Sequence, residues 1–521
     1  METCGPGLCR IPDELLFQII DALDDESACQ LGLTCTDLHY RALPIVFKRH
    51  GTKDSNTGRI SLYNIGSKHV LRALATALFI PDVDEIFLWP DMNSEYEYSY
   101  ILAMTHLATR FTQVDFYFAG FEKWLVNIFL CHPGGRDARI WIKNLSAFLN
   151  GILGRGCTTL RVNSANDSFP DFPQTSYGLI PQAILQLTAT RQLILPSRRG
   201  LAVGDILGTL CIFRTSGVRP DLASHTAEDR QKLSEFRVHS PVLLQRPFFP
   251  WIRSTLQTNA TSITVLSLKT NREQRATFWK DILSSITLPS LYEFELTCHK
   301  GVKYWVPVDF TVLILFLSRH SSIKYLHLTA IYTPTPFSYP QHSLQPLLPQ
   351  LIKLEAQPLF ISWLLNVEAP FPRLQHLSLV TVISDFRHTL RDTEYDVVDE
   401  ALLALANNNM TAHNIHLGLR FVPEFAVAQW MLRHVSQSIG TTQYSMSALR
   451  CVTKLSVYTT DRIRFHTDRE VLNVVPIFLA LFPCLKDVSF EHPGLEVLDP
   501  QMRQNVAEVC PRLERLAVNL K

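Results

Sequence analysis

Leu288–Leu296 reads LPSLYEFEL, and four later stretches repeat its outline: LPQLIKLEA at Leu348–Ala356, FPRLQHLSL at Phe371–Leu379, FPCLKDVSF at Phe482–Phe490 and CPRLERLAV at Cys510–Val518. Each opens on an apolar residue and a Pro, a turn signal, and closes on L-x-x-L-x-L with apolar substitutions. The alternation at the end has the two-residue period of a strand. The same apolar triple recurs without the Pro at Ile263/Leu266/Leu268, Ile323/Leu326/Leu328 and Val452/Leu455/Val457. Fainter copies stand at Val83/Ile86/Leu88 and Phe111/Val114/Phe116, with a degenerate one at Ile415/Leu417.

The middle anchors give the period. From Leu266 the steps are 28 residues to Phe294, 32 to Leu326, 28 to Leu354 and 23 to Leu377. From Leu455 they are 33 to Val488 and 28 to Leu516. Helical patterns fill the intervals at Arg272–Ile286, Val308–Arg319, Val397–Ala406, Ala426–Ile439, Val471–Leu481 and Pro500–Val509. A strand and a helix at a steady period form one unit that buries its apolar side only against its neighbours. A closed α/β domain produces the same local signal, but the recurrent Pro favours repetition. The array resembles a leucine-rich-repeat region with several units stretched beyond roughly 20–29 residues. It lacks that family's Asn after the last Leu. Residues 150–260 are the least periodic, and 163–181 and 332–349 read as long Pro- and Ser-rich excursions.

Upstream, Ile11–Leu23 reads IPDELLFQIIDAL. Pro12, Asp13 and Glu14 suit a first helical turn, and Leu15, Leu16, Ile19, Ile20 and Leu23 form one broad apolar stripe. Ser27 and Gln30 read as a capping box opening a second short helix with Leu31 and Leu33. Thr36 reads as the N-cap of a third, carrying Leu38, Ala42, Leu43, Val46 and Phe47. Some forty residues cannot bury all of these faces alone, so a partner or the rest of the chain must cover the surplus.

This segment resembles the F-box. Ile11-Pro12 stand for the opening dipeptide, Glu14-Leu15-Leu16 and Ile19 for the first helix, and Leu31, Leu33 and Cys35 for the second. Leu38 stands where many members carry Trp, and Ile11 replaces the usual Leu. The resemblance implies a surface for a Skp-type adaptor, and through it a cullin, built from Ile11, Pro12, Leu15, Leu16, Ile19, Leu31, Leu33, Cys35 and Leu38. Some of these side chains pack inside such a unit, and the pattern does not divide the two sets. The expected organisation is a three-helix F-box over 10–50, a linker over 51–58, and an irregular leucine-rich-repeat-like α/β solenoid over 59–521.

Composition narrows the partners. With 49 Lys+Arg against 48 Asp+Glu the formal net charge is +1, so bulk charge drives binding to neither nucleic acid nor anionic membrane. The basic cluster Arg191, Arg198 and Arg199 is short and lacks interleaved aromatics. The longest apolar runs, Phe310–Leu317 and Val474–Phe482, fall short of the roughly 20 residues of a bilayer span, and no secretory h-region opens the chain. The 11 Cys are scattered, odd in number and without a C-x-x-C pair, so the expectation is no disulfide framework and a cytosolic or nuclear setting.

Chemistry-bearing motifs are absent. Gly151–Thr158 has the glycine spacing of a phosphate loop, but Cys157 occupies the place of its Lys. No G-x-S-x-G elbow, H-E-x-x-H helix or G-x-G-x-x-G turn occurs. His413 and His416 lie close but lack further ligands, Asp24-Asp25-Glu26 reads as a solvated turn, and the sequons at Asn144, Asn166, Asn259 and Asn409 carry little weight. No cofactor, metal or catalytic residue is expected. The sequence therefore suggests an interaction protein, a ligase substrate receptor before an adaptor-binding scaffold, with an enzyme lacking any local motif as the distant alternative. For the target, successive strand side chains alternate, so residues flanking each middle anchor leave the apolar side and line a shared concave face. Tyr325, His327 and His376, on what reads as adjacent copies, are its expected centre.

Overall fold

The computed structural model describes residues 11–50, 59–65, 85–90, 114–117, 158–163 and 232–239, parts of 70–77, 149–153 and 243–248, and most of 249–519. The expected linker at 51–58, nearly all of the Gly-rich loop and of the excursion from Asn163, residues 332–346, the Arg191–Arg199 cluster, His413 and Asn144, Asn166 and Asn409 lie outside the described residues. The chain forms two compact units, Met1–Ile263 and Thr264–Lys521.

The first unit opens with α1 (Asp13–Ala22), α2 (Asp25–Gly32) and α3 (Thr36–Arg49). Asp24, not Ser27, caps α2: its carboxylate accepts from the Ser27 N–H at 2.6 Å, which makes Ser27 an internal first-turn residue. Likewise Cys35 is the N-cap of α3 and Thr36 its first helical residue, so both helices begin earlier than their polar signals suggested. Both α1 and α2 pack on α3. Leu16, Ile20, Ala28, Leu38, Ala42, Leu43 and Val46 form the small core. Cys35 is disulfide-bonded. The other described cysteines, Cys29, Cys298, Cys451, Cys484 and Cys510, carry thiols rather than disulfides. The scattered thiols gave no sign of this bond, and it is unusual for a reducing compartment.

Five parallel strands follow in chain order: β1 (Arg59–Ile65), β2 (Glu85–Pro90), β3 (Val114–Tyr117), β4 (Thr159–Asn163) and β5 (Glu235–His239). Ile60, Ile86, Val114, Leu160 and Phe236 share one register row. The faint anchors Ile86 and Val114 thus belong to the array, and β4 and β5 extend it into the region that read as least periodic. Helix α4 (Phe249–Thr258) closes the unit with Trp251 buried, its indole N–H donating to Asn150 Oδ1 at 3.0 Å.

The second unit is the more regular. Its strands are β6 (Val265–Thr270), β7 (Glu293–Cys298), β8 (Tyr325–Leu328), β9 (Lys353–Ala356), β10 (His376–Val380), β11 (Ile415–Phe421), β12 (Val452–Thr459), β13 (Asp487–Glu491) and β14 (Arg515–Asn519). Every pair is parallel and sequential, with Leu266, Phe294, Leu326, Leu354, Leu377, Leu417, Leu455, Val488 and Leu516 standing opposite one another. The periodicity therefore predicts the register, and the degenerate copy at Leu417 is a full member.

The crossovers are α5 (Ala276–Ser285), α6 (Phe310–Ser318), α7 (Pro358–Val367), α8 (Arg391–Asn407), α9 (Val427–Gln437), α10 (Arg469–Ala480) and α11 (Pro500–Val509). They cover the anchor side of the sheet: Phe294 meets Phe316 of α6 at 4.8 Å between ring centroids, and Phe421 meets Trp430 of α9 at 5.5 Å. Helix α7 was missing from the sequence reading because Phe360, Ile361, Leu364 and Leu365 are all buried, which leaves no polar face to mark a period.

The recurrent Pro sits in a tight turn that feeds each strand. Leu291 N–H bonds Leu288 O at 3.0 Å, Leu351 bonds Leu348 at 3.1 Å, Leu374 bonds Phe371 at 3.2 Å and Leu513 bonds Cys510 at 3.0 Å. Each is an i to i+3 turn with Pro at the second position, where its fixed φ fits and no N–H is required. The carbonyl just before the strand then accepts from the next repeat: Tyr292 O takes both Lys324 and Tyr325 N–H, and Lys324 O takes Ile352 and Lys353. This ladder joins the turns by backbone alone, with no Asn side chain needed.

Candidate functional site

The three-helix unit divides the expected adaptor-facing residues into two sets. Leu16 and Ile20 point inward at 3% and 0% exposure, whereas Leu15 and Ile19, also four residues apart, are 51% and 46% exposed. Pro12 is exposed and Ile11, Leu31 and Leu33 are partly exposed. Leu16, Cys35 and Leu38 are buried inside the unit, so they support the surface from beneath rather than present area to a partner. Phe17 and Tyr40, which the reading omitted, are also exposed.

A polar clamp fixes this stripe. Arg49, at the end of α3, donates to the carbonyls of Ile20, Asp21 and Leu23 at 2.9, 2.6 and 2.7 Å, satisfying the C-terminal end of α1. It also lies 3.2 Å from Asp25, whose other oxygen is 2.5 Å from His50 Nε2. Burial alone would raise the Asp25 carboxyl, but its hydrogen bonds to His50 and Arg49 hold it below the ordinary carboxylate value. Asp25 is thus a structural acid at the start of α2 rather than part of a solvated turn.

The second candidate is the sheet face opposite the helices. The residues flanking the middle anchors do leave the apolar side: β8 and β10 alternate exposed or half-buried with buried. Val265, Ser267 and Glu355 are exceptions and are buried. Tyr325 is 38% exposed and meets Tyr292 edge-on at 6.0 Å. His327 stands between two carboxylates, Nδ1 3.4 Å from Glu295 and Nε2 3.2 Å from Glu355. Glu355 also pairs with Arg420 and approaches Lys353 at 3.9 Å.

His376 belongs to a different group. Strand β9 lies between it and Tyr325, so these residues are not on adjacent repeats as the sequence suggested. Its Nδ1 is 3.3 Å from Nδ1 of His416, whose Nε2 is 2.7 Å from Ser456 Oγ, and Ser456 reaches Ser489 at 2.7 Å. Burial first, then Lys353 and Lys454, pushes the His376 imidazole below its ordinary value. His416 finds its partner on the neighbouring strand, a pairing with His376 that local spacing could not show. Arg420 was missed because its partner, Glu355, sits two strands away.

Behind the anchor side, His434 Nε2 and the Trp430 indole N–H both lie 2.9 Å from Oδ1 of buried Asp399. These groups join α8 to α9 beside a cavity of about 30 Å³ lined by Leu402, Leu403, Met446 and Leu449. Asn259, one of the sequons, binds Thr255 O through its side-chain amide at 2.9 Å. Among the described residues no group of three His, Cys, Asp or Glu could hold a metal ion, and no helix is long and apolar enough to cross a membrane.

No family model matches the chain, and no curated protein matches it. Among solved structures it is similar to the leucine-rich repeat-containing protein LegL7 from Legionella pneumophila. That likeness has 12% identity, covers 87% of this chain and 97% of that chain, and has a TM-score of 0.35. The repeat architecture rests on the chain's own parallel, sequential strands and their shared register.

Proposed function

We propose that the chain is the substrate-recognition subunit of an SCF-type ubiquitin ligase. In this reading α1–α3 are an F-box that docks a Skp-type adaptor and through it a cullin, while the strand face of the second unit takes a target protein. The observation that carries it is the exposed stripe of Pro12, Leu15 and Ile19 lying over a closed core of Leu16, Ile20 and Leu38. A contiguous apolar stripe left in water on so small a unit is a surface shaped for a partner. Its resemblance to the F-box supplies the identity of that partner.

Such a subunit makes and breaks no bonds. It holds a target near the ubiquitin-charged enzyme and so raises the effective concentration of the target's lysines. Tyr325, His327 and His376 are the proposed target contacts, on one array of strands that the repeats hold in fixed register. The proposed setting is the cytoplasm or nucleus, where the adaptor would be met.

The test is co-expression of the full chain with a Skp-type adaptor, followed by proximity labelling of targets. Deleting residues 1–50 should abolish adaptor co-purification and leave the labelled targets unchanged. Substituting Tyr325, His327 and His376 together by Ala should do the reverse. Full adaptor capture by the deletion variant would refute the F-box reading, and an unchanged target list in the triple variant would remove the strand face as the target surface.

A further inference from the structure

Across β9, β10, β11 and β12, the residues just before the middle anchors are Lys353, His376, His416 and Lys454, each in register with the next. We propose that this row binds an acidic stretch of extended polypeptide, with the two imidazoles as the pH-sensitive part of the site. The inference rests on the strand face being the target surface and names the chemistry of what it takes.

Spacing is the first argument. Neighbouring strands lie about 4.8 Å apart, so the two lysines are separated by about 14 Å across three strand steps. Along an extended chain, same-side residues recur at about 6.8 Å, so two such steps cover the same span. Acidic residues at alternate positions of a segment laid across the strands would therefore meet Lys353, the imidazole pair and Lys454 in turn.

Charge is the second. Lys353 and Lys454 are 45% and 57% exposed along their side chains. The described charged groups facing His376 are Lys353 and Glu355 on β9, His416 and Arg420 on β11, and Lys454 on β12, with Asp487 beyond on β13. Glu355 is buried and pairs with Arg420, with His327 at 3.2 Å and Lys353 at 3.9 Å, while Asp487 is 3.1 Å from Lys454. Two lysines and Arg420 against two carboxylates leave an excess of positive charge. Burial first, and then these lysines, hold His376 below its ordinary value, so the lysine charges add to the effect of burial at the ring. His416 is engaged on both sides, by His376 Nδ1 and Ser456 Oγ, which fixes the ring pair for a ligand.

An acidic ligand counters that excess of positive charge, raises the bound-state imidazole and draws in a proton. Binding then tightens as pH falls through the histidine range. The experiment uses the purified full chain and a fluorescein-labelled peptide of alternating Glu and Ser, with its Gln–Ser counterpart as control. By anisotropy, the Glu–Ser peptide should bind in preference to the control, weaken as salt is raised, and tighten about threefold or more from about pH 8 to about pH 6. Lys353→Gln with Lys454→Gln should loosen it about tenfold, and His376→Gln with His416→Gln should flatten the pH profile.

Equal binding of the two peptides, indifference to salt, wild-type binding by the folded lysine variant, or an unchanged pH slope in the histidine variant would overturn the proposal. The salt and control-peptide results need no variant to fold. The probe contains neither adaptor nor target, so its failure leaves the receptor reading standing, and a failure of adaptor capture leaves this one standing.

Discussion

The Nε2 of His327 lies 3.2 Å from Oε1 of Glu355, a carboxylate whose side chain is only 5% exposed. The same oxygen pairs with Arg420, which reaches it from two strands away. A buried carboxylate is tolerated here because the Arg420 guanidinium from β11 pairs with it and the His327 ring from β8 lies within hydrogen-bond reach, and removing its charge weakens both contacts. Glu355→Gln should therefore lower the stability of the second unit by about 1–3 kcal/mol. Urea unfolding followed by tryptophan fluorescence would read this as an earlier midpoint, and an unmoved midpoint would show that the cluster is only a surface arrangement.

Gly418 of β11 stands opposite Ser378 of β10, with no room for a side chain between them. A Cβ built there would stand 2.6 Å from Ser378 Oγ and 3.3 Å from Ser378 Cβ. Gly418→Ala should cost about 1–3 kcal/mol by overpacking, and adding Ser378→Ala should recover part of it. Thermal melts of the single and double variants check this, and a double variant no better than the single would locate the strain elsewhere.

His320 carries a pH dependence of known sign. Its Nε2 accepts from the Leu288 N–H at 2.8 Å and its Nδ1 lies 2.6 Å from Phe316 O, so the neutral ring with its proton on Nδ1 satisfies both contacts. Burial, outweighing the Phe316 carbonyl, holds its pKa below the ordinary histidine value. A group depressed in the folded state contributes stability that is complete above its unfolded pKa and is lost as pH falls through the folded one. Stability of the second unit should thus decline from about pH 6.5 downward. His320→Gln should flatten that decline in melts taken across pH, and an unaltered slope would assign it to another group.

The anchors from Leu266 to Leu516 were legible because a parallel ladder admits only one register that keeps every apolar side chain on the helix side. Leu160 and Phe236 obey the same rule, but their strands are five residues long and 76 residues apart, so no period pointed to them. The cap of α2 was misplaced because Ser27 and Gln30 satisfy the capping pattern while Asp24, three residues earlier, makes the actual bond. At the N-terminus, the apolar stripe of α1 was plain, but its division into buried Leu16 and exposed Leu15 depends on where α3 packs. The Glu355–Arg420 and His376–His416 pairs span 65 and 40 residues, and only the folded ladder brings them together.

The most direct test of the receptor reading is calorimetric titration of a Skp-type adaptor into the full chain and into its Leu15→Asp, Ile19→Asp variant. Both side chains are exposed, so the variant should keep its fold, including the melting of the repeat region. The account predicts saturable binding to the wild-type chain and a loss of about a hundredfold or more in the variant, since two apolar anchors are replaced by charges that would have to be desolvated. Equal heats and equal affinity for the two proteins, or no binding by the wild-type chain, would contradict it.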